Sequence, residues 1–224
     1  MSRYMKVVIS GYGKMGHMVE AVLLRRGIEL ACASDDVCAV PDELAAQCVC
    51  IDFTTPDAFR ANYPEIARKF RAAVVGTTGW NDIQDEVFAE FCKHGTPLVW
   101  ASNFSIGVNA FFAAVQRACE VLRGHGYTPH VEEIHHIHKL DAPSGTAKSV
   151  AGIIESALGE KPEIGSQRIG EVPGTHTAEF KSAVDKLTFT HEAFSREGFA
   201  EGAVAAALLT EGLEGIHEFK DLIL

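Results

Sequence analysis

The sequence predicts an α/β protein in which a parallel-sheet domain is followed by a smaller α+β domain with a mostly antiparallel sheet. In the N-terminal half, short apolar runs alternate with amphipathic segments of helical period, a pattern typical of βαβ units. Beyond residue 104 this alternation gives way to a long polar strand pattern and an alanine-rich helix. The 224 residues are 47% hydrophobic, which is enough for a large core.

The first elements are a strand, a loop, a helix and a second strand. Lys6–Ser10 is a short apolar run, and Met15–Arg26 carries apolar residues at helical spacing before Gly27 ends the helix. Glu29–Ala33 follows as a strand that leads into Asp35. The loop before the helix has the sequence GYGKMG, with glycines at the GxGxxG spacing. In this order of elements, the motif predicts a Rossmann-type dinucleotide-binding domain.

The three glycines of this loop have distinct expected roles. Gly11 permits the tight turn, Gly13 lets a pyrophosphate approach the backbone, and Gly16 lets the helix pack closely on the strand. The unpaired amides and the dipole of the helix N-terminus favour phosphate groups. The loop is therefore a candidate pyrophosphate site.

The acidic residues after the second strand bear on the choice of dinucleotide. Asp35 can accept hydrogen bonds from the ribose hydroxyls of the cofactor. A 2′-phosphate would meet Asp35 and Asp36 together, with only Lys14 nearby to offset them. We therefore expect NADH to be the favoured cofactor, with NADPH as the alternative that Lys14 keeps open.

Further strands and helices continue the alternation, with strands at Val49–Phe53, Ala73–Val75 and Pro97–Trp100 and helices at Pro56–Phe70 and Asn81–Lys93. Residues 76–79 (GTTG) and 101–104 (ASNF) follow two of these strands, at the edge where parallel sheets bind ligands. Threonines in such places can equally cap helices. Because Gly76 and Gly79 would let a ligand lie against the backbone, we favour a binding role for Thr77 and Thr78.

The C-terminal half follows a different pattern. Helices are expected at Val108–Arg123, Gly145–Leu158 and Phe199–Leu213, strands at His130–Ile137 and Lys186–Phe194, and a loop with at most a short strand at Gly159–Gly174. The last helix and the apolar tail Phe219–Leu224 are expected to pack back on the first domain. This gives a dinucleotide-binding domain of residues 1–104, completed by 199–224, and a substrate-binding and oligomerisation domain of residues 105–198. The exposed sheet of the second domain is a candidate oligomer interface.

The most unusual stretch is EEIHHIHKLDAPSGTAK, residues 132–148. After Pro143 a helix is expected to begin, so the amides of Ser144, Gly145 and Thr146 would converge as a seat for an anion. Histidines and Lys139 beside this seat would favour a carboxylate-bearing substrate. Two alternatives stay open at this point: the histidines and the neighbouring glutamate could form a zinc site, although no HExxH pattern is present, or they could be ordinary surface residues.

Charge and composition exclude several classes of function. The net charge of −10 argues against nucleic acid as a partner. No stretch approaches the roughly 20 apolar residues of a membrane-spanning helix, and we see no signal-peptide pattern, so no membrane partner is expected. Six cysteines without CxxC or small-domain disulfide spacing indicate reduced thiols, and we expect a cytoplasmic protein.

These motifs resemble those of the 4-hydroxy-tetrahydrodipicolinate reductase (dihydrodipicolinate reductase) family. The resemblance covers nearly the whole chain, and the motifs that carry it are GYGKMG (11–16), IDFTTP (51–56), GTTGW (76–80), ASNFSIGVN (101–109), EEIHHIHKLDAPSGTA (132–147) and GAVAAA (202–207). The fifth motif is long and specific, whereas GTTG alone would be weak.

The resemblance implies NAD(P)H-dependent reduction of 4-hydroxy-tetrahydrodipicolinate, a small cyclic dicarboxylate, in the diaminopimelate route to lysine. It also implies a hinge between the domains and a homotetramer. Nicotinamide-cofactor contacts are implied for Gly11, Tyr12, Gly13, Lys14, Met15, Gly16, Asp35, Gly76, Thr77, Thr78, Ala101, Ser102, Asn103 and Phe104. His135 and Lys139 would be the catalytic proton carriers, His136, Ser144, Gly145 and Thr146 would contact the substrate, and no metal is expected.

The chain departs from the family pattern in two places. Many members have an arginine directly after the acid of the second strand, where this chain has Asp36. The segment between Gly165 and Phe180 is also shorter than in longer members, so we expect it to remove part of the second domain's sheet. The alternatives to the reductase are another Rossmann oxidoreductase of small amino or keto acids, and a nucleotide-sensing or metal-binding regulator without catalysis.

Overall fold

The computed structural model describes residues 5–224, which form two compact units. The first unit ends at Ser105 and is completed by Phe199–Leu224, and the second unit is Ile106–Gly198. Each unit has a sheet and a hydrophobic core of its own.

The strands in chain order are β1 Lys6–Ser10, β2 Glu29–Ser34, β3 Cys48–Asp52, β4 Ala72–Val75, β5 Leu98–Trp100, β6 Thr128–His135, β7 Glu163–Arg168, β8 Thr175–Lys181, β9 Lys186–Glu192 and β10 Ile216–Glu218. The α-helices are α1 Lys14–Arg26, α2 Asp42–Ala45, α3 Pro56–Lys69, α4 Gln84–His94, α5 Ile106–Leu122, α6 Gly145–Leu158, α7 Glu197–Leu209 and α8 Phe219–Ile223.

The first unit contains a six-stranded sheet in the order β10-β5-β4-β3-β1-β2, and all its pairs are parallel. Successive residues of the buried strands face opposite sides, so both sides must be covered. Val7 and Ile9 pack with α1, α7 and α8, whereas Val8 packs with α3 and α4. The predicted α/β fold with a Rossmann-type sheet is confirmed.

Local signals explain where the helices of this unit begin and end. The side chain of Thr55 accepts a hydrogen bond from the amide of Ala58 at 3.2 Å, and Pro56 occupies the first turn of α3. Helix α1 ends at Gly27, which has φ +65°, a left-handed conformation that glycine adopts without strain. Thr55 thus lies in the loop after β3, at the carboxyl edge of the sheet, and Gly27 turns the chain from α1 into β2.

The second unit contains a four-stranded sheet in the order β7-β6-β8-β9. Strand β7 runs parallel to β6, and the other two pairs are antiparallel, which confirms the predicted mostly antiparallel sheet. One face packs on α5 and α6 through Val131, Ala178 and Phe180. Glu133, His176 and His191 occupy one register row across β6, β8 and β9 on this inner side.

Several predicted elements differ from the structure. The segment Gly159–Gly174 contains the six-residue strand β7, and the unpredicted strand β8 follows it, so the short segment 165–180 supplies two strands of the sheet. Neither the polar β7 nor the three-residue β10 has a hydrophobic period that could reveal it. The helix predicted to Leu213 ends at Leu209, and β6 ends at His135 rather than Ile137.

Among residues 5–224, no helix has the combination of length and apolar character that a membrane crossing requires.

Candidate active site

The glycine loop joins β1 to α1 in the first unit. Gly11 has φ +89°, and a Cβ there would lie 2.4 Å from the carbonyl oxygen of Phe53. A Cβ on Gly16 would lie 2.3 Å from the carbonyl oxygen of Gly11. A Cβ on Gly13, by contrast, would meet nothing within 4 Å. The outer glycines are therefore required for packing, and the exposed backbone at Gly13 lies at the N-terminus of α1.

Two exposed carboxylates lie beside this loop, directly after β2. Asp35 accepts a hydrogen bond from the amide of Tyr12 at 2.9 Å, which ties the end of β2 to the loop. Asp36 accepts from the amide of Cys38 at 2.9 Å and caps a short 3₁₀ turn. Both negative charges lie at the place where the ribose end of a dinucleotide is expected.

Asp52, at the end of β3, holds three segments of the carboxyl edge together. Its buried carboxylate accepts hydrogen bonds from the hydroxyls of Ser10 at 2.6 Å, Thr77 at 2.5 Å and Thr54 at 3.1 Å. Burial raises the pKa of Asp52, and the three hydroxyl hydrogen bonds act against that rise. Since Ser10 precedes the glycine loop and Thr77 lies in the GTTG loop, this carboxyl group aligns both loops.

The GTTG loop is fixed from two sides. A Cβ on Gly76 would lie 2.1 Å from the ring of Phe53. Only glycine therefore lets the loop approach the core this closely. The indole nitrogen of Trp80 donates to the carbonyl of Thr77 at 2.6 Å. Because the Thr77 hydroxyl is bound to Asp52, only its backbone is left to face a ligand, whereas Thr78 is exposed.

The ASNF loop after β5 presents a mixture of buried and exposed groups. Ala101 and Phe104 are buried in the core, while Ser102 is exposed. The side chain of Asn103 accepts a hydrogen bond from the amide of Ser105 at 2.9 Å, which shapes the turn. With Thr77, Thr78, Trp80 and Trp100, the beginning of this loop lines a small pocket.

In the second unit, the site is centred on Glu133 and His135, which lie on the same side of β6. Oε2 of Glu133 is 2.5 Å from Nδ1 of His135, and both side chains are buried. Burial opposes the charge on Glu133, but hydrogen bonds from Ser166, Ser144 and Arg168 together with the His135 charge lower its pKa to about 2. Burial lowers the pKa of His135, and the Glu133 carboxylate acts in the opposite direction. The carboxylate is therefore ionised at neutral pH.

The N-terminus of α6 is joined to the same carboxylate. The amide of Ser144 donates to Oε1 of Glu133 at 3.3 Å, and the Ser144 hydroxyl accepts from the amide of Ala147 at 3.2 Å as the helix cap. The Ser144 amide therefore points to Glu133, which changes the expected seat of three amides converging on a ligand. Gly145 and Thr146 form the first turn of α6, where amides lie outside the intrahelical pattern.

Arg168 of β7 links this centre to the Lys139 loop. Its guanidinium donates to Glu133 Oε1 at 3.0 Å and to the backbone carbonyls of Lys139 at 3.3 Å and Asp141 at 2.6 Å. The ammonium of Lys139 lies 2.8 Å from Asp141, which lowers the pKa of that carboxyl group. Lys139 is thus held on the same side of the unit as His135, and its charge acts on that imidazole.

His136 lies beyond the end of β6 and has different neighbours. Its Nε2 is 3.4 Å from the guanidinium of Arg196, and its ring centroid is 6.0 Å from that of His138. Adjacent histidines in an extended segment point to opposite sides, so His135 and His136 cannot share one orientation. The half-buried His136 and the exposed Arg196 instead lie side by side after the strand.

His176 lies behind His135, directly opposite Glu133 on β8. Its Nε2 is 3.2 Å from the Ser144 hydroxyl, and its ring centroid is 5.0 Å from that of His135. Glu133, His135 and His176 have ligand-type atoms within 4.8 Å of one another, a set that can hold a metal ion. Arg168 already supplies a cation to this carboxylate, which opposes a second cation in the same place.

The buried His176 should make stability depend on pH. Burial and the neighbouring His135 lower the pKa of His176 to about 4, from an ordinary value of 6.5. Between these two values the unfolded chain binds more protons, so the free energy of unfolding falls as the pH falls. At about 1.4 kcal/mol per unit, this one group removes roughly 3 kcal/mol across the window. His176→Gln should flatten that slope in denaturant unfolding, while His125→Gln, at an exposed position, should leave it unchanged.

Four residues of these two centres had no role in the sequence prediction, namely Asp52, Arg168, His176 and Arg196. Asp52 carried a readable signal, since an acidic residue ends an otherwise apolar buried strand. The other three come from segments whose pairing with β6 or His136 depends on long-range register. The sequence alone offers Glu133 only as a candidate zinc ligand, and the structure pairs it with His135 and Arg168.

Comparison with known proteins gives matches over nearly the whole chain. Family models described as the N-terminus and the C-terminus of dihydrodipicolinate reductase match residues 5–104 and 107–223. A 4-hydroxy-tetrahydrodipicolinate reductase of Christiangramia forsetii is 36% identical over 234 residues, covering 98% of each chain. One of Methanopyrus kandleri is 37% identical over 216 residues, covering 88% of this chain and 77% of the relative.

Solved structures show the same fold. A dipicolinate-bound dihydrodipicolinate reductase from Paenisporosarcina sp. TG-14 superimposes with a TM-score of 0.80 at 19% sequence identity, covering 98% of this chain and 99% of that one. A DAP dehydrogenase of C. glutamicum in complex with DAP reaches a TM-score of 0.59 at 11% identity, covering 98% of this chain and 94% of that one.

Proposed function

Because the chain belongs to the dihydrodipicolinate reductase family and is a 4-hydroxy-tetrahydrodipicolinate reductase of lysine biosynthesis with an NAD(P)-binding N-terminal part, we propose how its two units share the reaction. The first unit holds the nicotinamide cofactor, and the second holds the cyclic dicarboxylate. Reduction of the 4-hydroxy compound releases its hydroxyl group as water and adds a hydride, which the bound nicotinamide cofactor would supply, to an unsaturated carbon of the ring. Residues of the two units bind and orient the cofactor and the dicarboxylate and supply the proton.

The cofactor lies along the carboxyl edge of the six-stranded sheet. The backbone of the glycine loop at Gly13 and the first turn of α1, with Lys14 and Met15, receive the pyrophosphate. Tyr12 and Asp35, already joined by a hydrogen bond, receive the ribose. The nicotinamide end meets the GTTG and ASNF loops, whose contacts are Gly76, Thr77, Thr78, Ala101, Ser102, Asn103 and Phe104. For the buried Phe104 and for Thr77 these contacts come from the backbone.

NADH is the favoured cofactor in this proposal. Asp35 and Asp36 are both exposed after β2 and both accept hydrogen bonds from backbone amides of neighbouring turns, and no ion pair joins either of them to a basic side chain among residues 5–224. A 2′-phosphate would be repelled by this pair. The chain has no arginine directly after Asp35 to reverse the effect.

The substrate lies at the N-terminus of α6. The observation that carries this placement is that one buried carboxylate, Glu133, touches both His135 and the Ser144 amide, so the proton carrier and the helix N-terminus share one support. The amides of Gly145 and Thr146 suit one carboxylate group, and His136 with the exposed Arg196 suits the other. Two separated positive sites match a dianion.

The proton needed to complete reduction comes from Lys139 or His135. After hydride addition, a carbanion or enamine develops in the ring, and a nearby acid quenches it. Lys139 has three N–H donors in one ammonium and is 23% exposed, so it can reach a ligand. His135 is buried and suits proton exchange in a site from which water is excluded.

A homotetramer is proposed for the assembly. The side of the four-stranded sheet opposite α5 and α6 carries half-buried Ile134 and a row of threonines on β8 and β9. Open sheet faces and edges of this kind are usually covered by a partner. Sedimentation velocity on the intact protein measures the assembly state directly.

Dipicolinate (pyridine-2,6-dicarboxylate) is expected to inhibit by competition with the substrate and not with NADH. The test is NADH oxidation with substrate generated from aspartate semialdehyde and pyruvate by the preceding synthase. His136→Ala removes a charge-assisted contact between this side chain and a carboxylate of dipicolinate. The variant should therefore weaken dipicolinate inhibition by about tenfold. His136 directly follows β6, and His130→Ala, near the opposite end of that strand, is the matched control and should leave inhibition unchanged. A failure of dipicolinate to bind or inhibit would refute the dicarboxylate site.

A further inference from the structure

A short contact in the second unit joins a carboxylate to the proposed proton carrier. Glu133 Oε2 and His135 Nδ1 are 2.5 Å apart, and neither of these buried atoms makes a hydrogen bond of regular geometry with any group among residues 5–224. Two unprotonated lone pairs would repel each other at this separation, so the contact requires a proton on Nδ1 of the ring. A neutral His135 therefore carries its proton on Nδ1 and leaves a lone pair on Nε2.

The carboxylate of Glu133 is fixed from its other oxygen. Oε1 accepts hydrogen bonds from the Arg168 guanidinium at 3.0 Å and from the Ser144 amide at 3.3 Å, and the side chain is 0% exposed. These bonds come from β7 and from the N-terminus of α6, so rotation of the carboxylate would break both. His135 is thereby held at a fixed position relative to the N-terminus of α6, where the substrate is proposed to bind.

The second ring nitrogen of His135 lies close beside Gly174. A Cβ on Gly174 would lie 3.0 Å from His135 Nε2, tighter than an ordinary contact. Glycine at this position therefore leaves room beside Nε2. The charged or titratable groups that act on the ring are Glu133 of the same strand, Lys139 of the following loop, Arg168 of β7 and His176 of β8.

We propose that Glu133 is a positioning residue that fixes the Nδ1–H form of His135, so that Nε2 is the nitrogen that exchanges a proton with the substrate. When imidazolium acts as the acid, the Nε2–H bond breaks, its electron pair stays on Nε2, and the ring of the reduced substrate gains the proton. The Nδ1–H tautomer that results is the one that pairs with Glu133. This role rests on the proposed function of His135.

Glu133→Gln tests this role with little change in shape. The glutamine oxygen can still accept from Ser144 and Arg168, and Arg168 keeps its two backbone carbonyl acceptors. Its NH₂ group would then face Nδ1 of His135, which favours the opposite, Nε2–H tautomer. Burial lowers the pKa of His135, and the negative charge of Glu133 partly offsets this effect. Loss of that charge should therefore lower the pKa of His135 further.

The expected results are a change of tautomer and a loss of turnover. ¹⁵N NMR of the histidine side chains, with His135 assigned by its absence in His135→Gln, should show Nδ1–H in the native protein and Nε2–H in Glu133→Gln. The kcat should fall by about 10²- to 10⁴-fold, the usual contribution of a positioned acid. The alkaline limb of the kcat profile should move to lower pH. Glu171→Gln removes the carboxylate beside the exposed His138, 3.0 Å away, and is the matched control that should change none of these.

Three outcomes would overturn the proposal. One is an Nε2–H tautomer of His135 in the native protein, a measurement that needs no variant and no turnover. Another is a Glu133→Gln protein that keeps both the native tautomer and the native pH profile. The third is a changed tautomer with undiminished kcat.

If Glu133→Gln does not fold, Glu133→Asp is the second variant. It keeps the negative charge but has a shorter side chain, so it should retain the alkaline limb of the kcat profile while lowering kcat. Failure of the proposed function is separate, because the native protein would then lack NADH-dependent turnover.

Discussion

Replacement of Lys139 by alanine is expected to lower kcat by about 10²- to 10⁴-fold, the range that a positioned acid contributes. The ammonium is held 2.8 Å from Asp141, in a loop that Arg168 ties to Glu133 by backbone and side-chain hydrogen bonds. Its loss removes both a proton donor and a positive charge near a dianionic substrate. The measurement is steady-state turnover together with NADH affinity from a fluorescence titration. NADH affinity should be unchanged, since Lys139 lies in the second unit.

The control for this variant is another lysine with the same type of partner. Lys186 lies 2.8 Å from Glu179 in the same unit, and Lys186→Ala removes an equivalent exposed ion pair. Surface pairs contribute little to stability, so both variants should unfold at nearly the native denaturant concentration. Asp141→Asn leaves the ammonium in place without its partner and should reduce kcat less than Lys139→Ala does. Native turnover by Lys139→Ala would remove Lys139 from the mechanism.

Most strands of the first unit could be predicted because their signals are local. Strands β1 to β5 contain short apolar runs, and caps such as Thr55 and Gly27 mark where helices begin and end, whereas the three-residue β10 has no such signal. In the second unit, β7 has the sequence EIGSQR and shows no period, because only part of it faces the core. Its position next to β6 is determined by long-range pairing, which a local pattern does not encode.

The same distinction separates the predicted and unpredicted parts of the candidate site. The sequence places His135, Lys139 and Ser144 within ten positions and so predicts a shared site. The partners that orient them, Arg168 and His176, come from β7 and β8 and reach the site only through register. Buried polar groups need such partners because an unpaired one is costly. A short motif that contains many ionisable residues must therefore have polar partners from other parts of the chain, which the motif itself does not reveal.

Asp36→Arg is expected to raise the ratio of kcat/KM for NADPH over that for NADH by about 100-fold. The change removes a negative charge that would repel the 2′-phosphate and supplies a guanidinium that can bind it. A hydrogen bond to a charged group contributes about 1.5–3 kcal/mol, and 1.4 kcal/mol corresponds to a factor of ten. Asp36 also caps the turn at Cys38, so the variant should lose a little stability.

Both kcat/KM values are measured on the same protein, so a loss of stability lowers both equally and cancels in their ratio. The ratio is therefore the quantity to compare. Glu43→Arg makes the same change in net charge at an exposed position of α2 in the same unit, and it should leave the ratio near the native value. If Asp36→Arg and Glu43→Arg gave equal ratios, the selectivity would come from overall charge and the local repulsion argument would fail. If the native enzyme already preferred NADPH, the cation offsetting Asp35 and Asp36 would have to be Lys14, and Lys14→Ala should then abolish the preference.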